Sequence, residues 1–131
     1  MANSVRPFLM FEGKAEEAMN FYVSLIPGSE ITRISRYGPG QPGAEGSVMM
    51  AEVSIAGQTV MCTDSVIEHG FTFTPASSFF VECESDEEIR RLAAALAEGG
   101  AELMPLGDYG FSRQFAWVND RFGVSWQLNL S

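Results

Sequence analysis

Histidine and cysteine are nearly missing from this chain: among 131 residues His69 is the only imidazole, and Cys62 and Cys83 are the only thiols. Two cysteines cannot build a disulfide framework. Neither has a CxxC neighbour or the His-rich surroundings of a zinc site, so both are expected to be reduced and buried. Cations are scarce as well. Eight Lys and Arg face 17 Asp and Glu, for a net charge of −9. A nucleic-acid face needs clustered cations to replace phosphate counterions, so nucleic acid is excluded as a partner. No run approaches the roughly 18 to 20 apolar residues of a membrane span, and the start, Met1 to Pro7, lacks the apolar core of a signal peptide. The expectation is a cytoplasmic protein with no membrane partner.

What is present is a chain with 46% hydrophobic and 19% charged residues, enough for one core and too little for two large domains. The first apolar run, Pro7-Phe8-Leu9-Met10-Phe11, is short, bulky and closed by Glu12-Gly13, as a strand entering a turn should be. From Ala15 to Leu25 the apolar residues Ala15, Ala18, Met19 and Tyr22 recur at spacings of three and four, with Glu16 and Glu17 in the first turn. This predicts a helix, stopped by Pro27-Gly28. Glu30 to Tyr37 alternates apolar and polar residues and predicts a half-exposed strand. The stretch 38–46 carries four glycines and two prolines and reads as a mobile loop, either a cover for a site or a connector.

Ser47 to Ile55 and Gln58 to Thr63 form a predicted hairpin around Ala56-Gly57. Its first arm assigns Met49, Ala51, Val53 and Ile55 to a core face, and Val48, Met50, Glu52 and Ser54 to the other. A carboxylate and a hydroxyl among apolar groups suit a sheet face turned to a ligand cavity, and equally a partly solvated face. After a loop holding His69, strand character resumes at Ser78 to Cys83. Ser85-Asp86-Glu87-Glu88 then resembles a capping box, opening a helix with Ile89, Leu92, Ala93 and Leu96 inward and closed by Gly99-Gly100. Glu102–Leu106, Ser112–Val118 and Val124–Leu130 are the remaining strand candidates, the last two joined by the turn Asn119 to Gly123.

The chain also repeats itself. At a shift of 71 or 72, Glu16-Glu17 lies on Glu87-Glu88, Gly28 on Gly100 and Glu30 on Glu102; at 66, Gly57 lies on Gly123 and Met61 on Gln127. Element order repeats too. These agreements predict an α+β fold of two βαβββ modules, 1–67 and 74–131, within a single domain. Their pairing is expected to close a curved mixed sheet around a shared cavity, the natural ligand site.

Pro7-Phe8-Leu9-Met10-Phe11, Ala15-Glu16-Glu17-Ala18-Met19-Asn20-Phe21-Tyr22, Val53-Ser54-Ile55-Ala56-Gly57 and the ending Asn119-Asp120-Arg121-Phe122-Gly123-Val124-Ser125-Trp126-Gln127-Leu128 resemble the PhnB-like branch of the glyoxalase, bleomycin-resistance and dioxygenase superfamily, also called vicinal oxygen chelate. Members of this branch are often labelled 3-demethylubiquinone-9 3-methyltransferase-like. The Gly-rich strand-to-helix loop and later acidic residue that methyl transfer from S-adenosylmethionine would normally show are missing here. In the superfamily, metal-dependent enzymes hold a divalent ion with His, Glu or Gln from the first and last strands of each module. Carried over by strand order, the resemblance puts those places near Pro7, Met61, Ser78 and Gln127. Only Gln127 offers a suitable donor, so no metal and no other cofactor is expected.

The candidate ligand-binding residues are Met50, Glu52, Met61, Ser78, Trp117 and Gln127. Glu52 is the candidate catalytic group, since burial among Met50, Met61 and aromatic rings would favour its neutral form and make it a general base. Its alternative is a solvated strand residue or a salt-bridge partner. Phe80, Phe115, Trp117 and Trp126, with Met10 and Met50, are read as core that partly lines a pocket, with Trp126 on the core side of its strand. His69 lacks a nucleophile-elbow serine, and Cys62 lacks a nearby cation to activate it. Three readings follow: a metal-independent module binding a small, partly apolar molecule, homodimeric as resembling proteins are; an enzyme using Glu52 or an unforeseen ligand set; and a structural interaction protein whose cavity is filled.

Overall fold

The computed structural model describes residues 2–131. The chain divides into two units, Met1–His69 and Gly70–Ser131. The first runs β1 (Phe8–Phe11), α1 (Ala15–Leu25), β2 (Glu30–Arg36), β3 (Val48–Ile55) and β4 (Gln58–Asp64). The second runs β5 (Ser78–Glu82), α2 (Asp86–Ala97), β6 (Ala101–Gly107), β7 (Gln114–Asn119) and β8 (Ser125–Leu130). Each unit makes one four-stranded sheet, in the orders β1-β4-β3-β2 and β5-β8-β7-β6. In both, the first strand pairs in parallel with the last, and every other pairing is antiparallel. The architecture is α+β, with the same βαβββ topology twice. No helix among the described residues is long and apolar enough to cross a membrane.

In the first unit α1 buries Ala15, Ala18, Met19 and Tyr22 and packs on β2, β3 and β4. Ala51, Val53, Ile55, Val60 and Cys62 are buried in turn. In the second, α2 buries Ile89, Leu92, Ala93 and Leu96 and packs on β6, β7 and β8, where Ala116, Val118, Trp126 and Leu128 are buried. Alternate strand residues therefore fill each core, as the period of two requires.

The helices start differently. Ser85 Oγ accepts from the Glu88 amide at 3.1 Å, and the Glu88 carboxylate accepts from the Glu84 amide at 2.7 Å, so α2 carries its own cap. The cap position of α1 is Lys14, with no side-chain cap. Asp64, at the end of β4, supplies the acceptor instead: Oδ1 takes the Gly13 and Ala15 amides, both at 2.9 Å, and Oδ2 takes the Val48 amide at 2.9 Å. A carboxylate at a helix N-terminus also meets the positive end of the helix dipole.

Several sequence expectations are corrected in detail. The helix-ending glycine that matches Gly28 (φ 77°) is Gly99 (φ 76°), not Gly100. Gly100 is needed for space, because a Cβ there would stand 2.0 Å from the Asn119 carbonyl oxygen. Register accordingly places Glu30 beside Ser54 and Ala101, not Glu102, beside Asn119. Val48 does not share the half-buried character of Met50, Glu52 and Ser54. It is fully buried, with a register shift between Ser35 and Arg36 beside it, whereas Met49 is only half-buried. The 38–46 loop is pinned at its base: the Tyr37 and Ser47 backbones bond at 2.9 Å, as do those of Gly46 and Tyr37. The Tyr37 ring lies where a Gly43 side chain would go.

Candidate functional site

On each sheet, the face opposite the helix carries one row of side chains across all four strands. In the first, register aligns Phe8, Met61, Glu52 and Arg33. In the second, it aligns Phe80, Gln127, Trp117 and Met104. The rows occupy equivalent places in the repeated topology. Laterally paired strand residues point to the same side, so each row is a contiguous strip on one face. Met61, Glu52, Gln127, Trp117 and Met104 are half-buried, and Phe8, Arg33 and Phe80 are exposed.

In the first strip Glu52 is an ion-pair partner. Its Oε1 lies 2.6 Å from Arg6 Nη1 and 4.0 Å from Arg33 Nη1, with 22% of the side chain exposed. Arg6 is steadied by Ser4, whose hydroxyl accepts from its Nε and Nη2 at 3.3 and 3.2 Å. The apolar environment expected to make Glu52 a base is thus replaced by two guanidiniums. Met61 sits directly across from Glu52, and Met50 pairs with Ser35 one step along.

The second strip rests on a hydroxyl network. Trp117 Nε1 donates to Ser125 Oγ at 2.8 Å, the Ser125 and Ser78 hydroxyls bond at 2.7 Å, and Gln127 Nε2 reaches Ser78 Oγ at 3.5 Å. Ser78, Trp117 and Gln127, three of the residues named from sequence, are therefore brought together, with Ser125, which strand parity sets on the same face as Gln127 but which was not named as a contact, as the fourth member. Beyond Trp117 the face turns aromatic. Phe115 is 5% exposed and meets Phe111 edge-on at 5.0 Å, Tyr109 edge-on at 6.3 Å and Phe80 at 6.5 Å. Phe115 is core here, while Trp126 packs on Phe79 at 4.8 Å and donates its indole N–H to buried Asp120 at 2.9 Å.

The four places that the resemblance assigns to a metal shift slightly. Parallel pairing sets Phe8, not Pro7, beside Met61, and Phe80, not Ser78, beside Gln127. Ser78 lies beside Ser125. Phenyl rings bring no donor electron pair, a thioether is soft, and the Ser78 hydroxyl is already bonded, so this donor set does not fit a hard divalent ion. Among the described residues, no three His, Cys, Asp or Glu side chains form a metal-holding group.

The remaining reactive types are structural. Burial pushes the Cys62 thiol up to about 12, with Asp64 adding to it, and pushes the Cys83 thiol up to about 11, helped by Glu88 and Glu82. Both are poor nucleophiles at neutral pH. His69 Nε2 lies 2.9 Å from Ser65 Oγ, whose hydroxyl also bonds the Ile67 carbonyl oxygen at 2.7 Å within the same loop. Asp120 accepts from the Phe122 and Val124 amides at 2.8 and 3.0 Å and from Trp126, which locks the β7–β8 turn. The strand-to-helix loops, Glu12-Gly13-Lys14 and Cys83-Glu84-Ser85, contain no glycine-rich cradle.

Residues 3–129 match the family described as 3-demethylubiquinone-9 3-methyltransferase. A solved structure described as a putative 3-demethylubiquinone-9 3-methyltransferase, PhnB protein, from Bacillus cereus is 56% identical, covers 98% of this chain and 100% of its own, and superposes with a TM-score of 0.96. Protein YjdN of Escherichia coli (strain K12) is 24% identical over 138 residues, which is 95% of this chain and 92% of that protein. A glyoxylase/bleomycin resistance protein/dioxygenase domain from Frankia sp. EAN1pec shares the fold at 13% identity and a TM-score of 0.67, covering 100% of this chain and 93% of its own.

Proposed function

We propose, from the premise that this chain belongs to the 3-demethylubiquinone-9 3-methyltransferase family, in the PhnB-like branch of the glyoxalase, bleomycin-resistance and dioxygenase superfamily, that it binds a small, partly apolar molecule without the divalent ion of the chelating members. The observation that carries this reading is the pair of equivalent strips on the helix-free faces. A sheet face that served only solubility would be polar and exposed. These strips instead mix half-buried methionine and tryptophan and exposed phenylalanine with a few anchored polar groups, the composition of small-molecule sites. Met50, Glu52 and Met61 on the first sheet and Ser78, Trp117 and Gln127 on the second are the proposed contacts. Glu52, held by Arg6, acts as a fixed charge for orienting a ligand. The same reading makes the protein a cytoplasmic homodimer.

Mass spectrometry of protein purified from its own host tests the reading. The expected result is a small organic molecule released on denaturation, with nickel, zinc and manganese bound far below one equivalent after incubation. Near-stoichiometric metal uptake that Glu52→Gln abolishes would overturn the metal-free reading. Light scattering checks the dimer.

A further inference from the structure

We infer that the aromatic cluster of the second unit is a stacking site for a flat, cationic aromatic group; the inference rests on the small-molecule binding proposed above and gives its ligand a chemical class. Phe80, Phe111 and Tyr109 are 57%, 63% and 42% exposed, yet they converge on one buried ring, Phe115. Large apolar side chains left in water singly are ordinary, but three gathered on one floor mark a contact surface. The cluster is also held in shape before anything binds. The Tyr109 hydroxyl donates to the Pro105 carbonyl oxygen, and the Gly110 amide donates to Asp108 Oδ1 at 2.8 Å. Tyr109 and Phe111 lie nearly parallel, 17° apart, at 6.3 Å. That spacing is too close to admit a ring between them, so a flat ligand stacks on their outward faces.

Charge selects the kind of ring. Glu82 follows Phe80 by two residues on β5 and stands in the same row as Phe115, with Asn129 between them. Both its oxygens lie 3.1 Å from Asn129 Nδ2, and Oε2 lies 3.5 Å from Ser131 Oγ. Its bonding partners are neutral. The nearby Arg113 guanidinium donates to the Ser131 carbonyl oxygen at 2.7 Å. A carboxylate beside electron-rich ring faces, on a chain of charge −9, favours a cation.

Fluorescence titration of the intact protein with proflavine, a planar cation, against neutral acridine and anionic anilinonaphthalene sulfonate tests the inference. Proflavine is expected to bind several-fold more tightly than acridine, with the anion weakest. Phe80→Ala and Phe111→Ala should each weaken proflavine about tenfold, while Phe111→Tyr retains it. Glu82→Gln should bring the proflavine-to-acridine ratio toward one. Thermal melts confirm folding, and truncating exposed Phe111 removes no core. Equal binding of the three probes, or ring variants that titrate like the parent, would overturn the assignment. So would failure of every dye together with conversion of a dimer to monomer by Phe111→Asp, which would give the rings to a second copy. If no dye binds while the native protein still releases another molecule on denaturation, the inference falls and the binding reading stands.

Discussion

The strip Phe8–Met61–Glu52–Arg33 and the strip Phe80–Gln127–Trp117–Met104 sit at the same places of one repeated topology, yet the first is organised by an ion pair and the second by hydroxyls and rings. On the helix side the units remain alike, both apolar and closely packed. The difference has a physical reason. A helix-facing position must fill a fixed space, so its chemistry is narrow. A helix-free position is limited only by what lies on it, so the duplicated scaffold lets each half specialise. Buried carboxylates diverge as well: Asp64 fastens the start of α1, and Asp120 fastens the β7–β8 turn.

The largest effects should come from separating those two fasteners. Asp64→Ala and Asp120→Ala each orphan three donors, two of them buried, for an expected loss of about 3 kcal/mol at roughly 1 to 2 per buried donor. Hydrogen exchange should loosen first at residues 13–15 and 48 in one variant and at 122–126 in the other. An identical pattern in both would show that the halves do not carry separate locks.

The thiols come next. Both native pKa values lie above the ordinary 9.0, so each contributes stability that is complete below about pH 9 and is lost as pH rises through about 11 for Cys83 and about 12 for Cys62. Between pH 8 and 10.5, Cys62→Ala should lose about 2 kcal/mol less than the parent, at roughly 1.4 kcal/mol per pH unit. Urea titrations at the two pH values measure this. Parallel losses would sink the expectation.

The smallest effect is the most diagnostic of the contrast between faces. Arg6→Gln should cost about 1 kcal/mol or less, and the cost should shrink in molar salt, because the Arg6–Glu52 pair is only half-buried. Phe80→Leu should show no such salt dependence. Midpoints in low and high salt decide it.

Element order, both helices and the repeat were readable because they depend on local spacing: apolar residues every three or four positions, alternating strands and turn glycines. The open faces were readable by parity alone, which set Gln127 opposite Trp126 and Glu52 opposite Val53. Parity fails where the ladder slips, and Val48 was misassigned for that reason. Arg6 gave no local sign of its role, because its partner Glu52 lies in a distant strand. Asp64 looked like the first residue of a loop, and only the parallel pairing of β1 with β4 brings it to the start of α1. The composition of 38–46 suggested mobility, but glycine also permits close approach, and the Tyr37 ring uses the space beside Gly43.

The parallel pairing of first and last strands also dictates how the chain can be built during synthesis. Phe8 leaves the ribosome early, but its partner Met61 follows only about 50 residues later, and Phe80 must wait about as long for Gln127. Until then β1 and β5 are apolar strands without a ladder, while the helix and hairpins between them can already form. Each unit closes on its last strand, so sheet completion is a late, long-range step, and a chain interrupted before residue 61 or residue 127 leaves an apolar strand uncovered and open to aggregation.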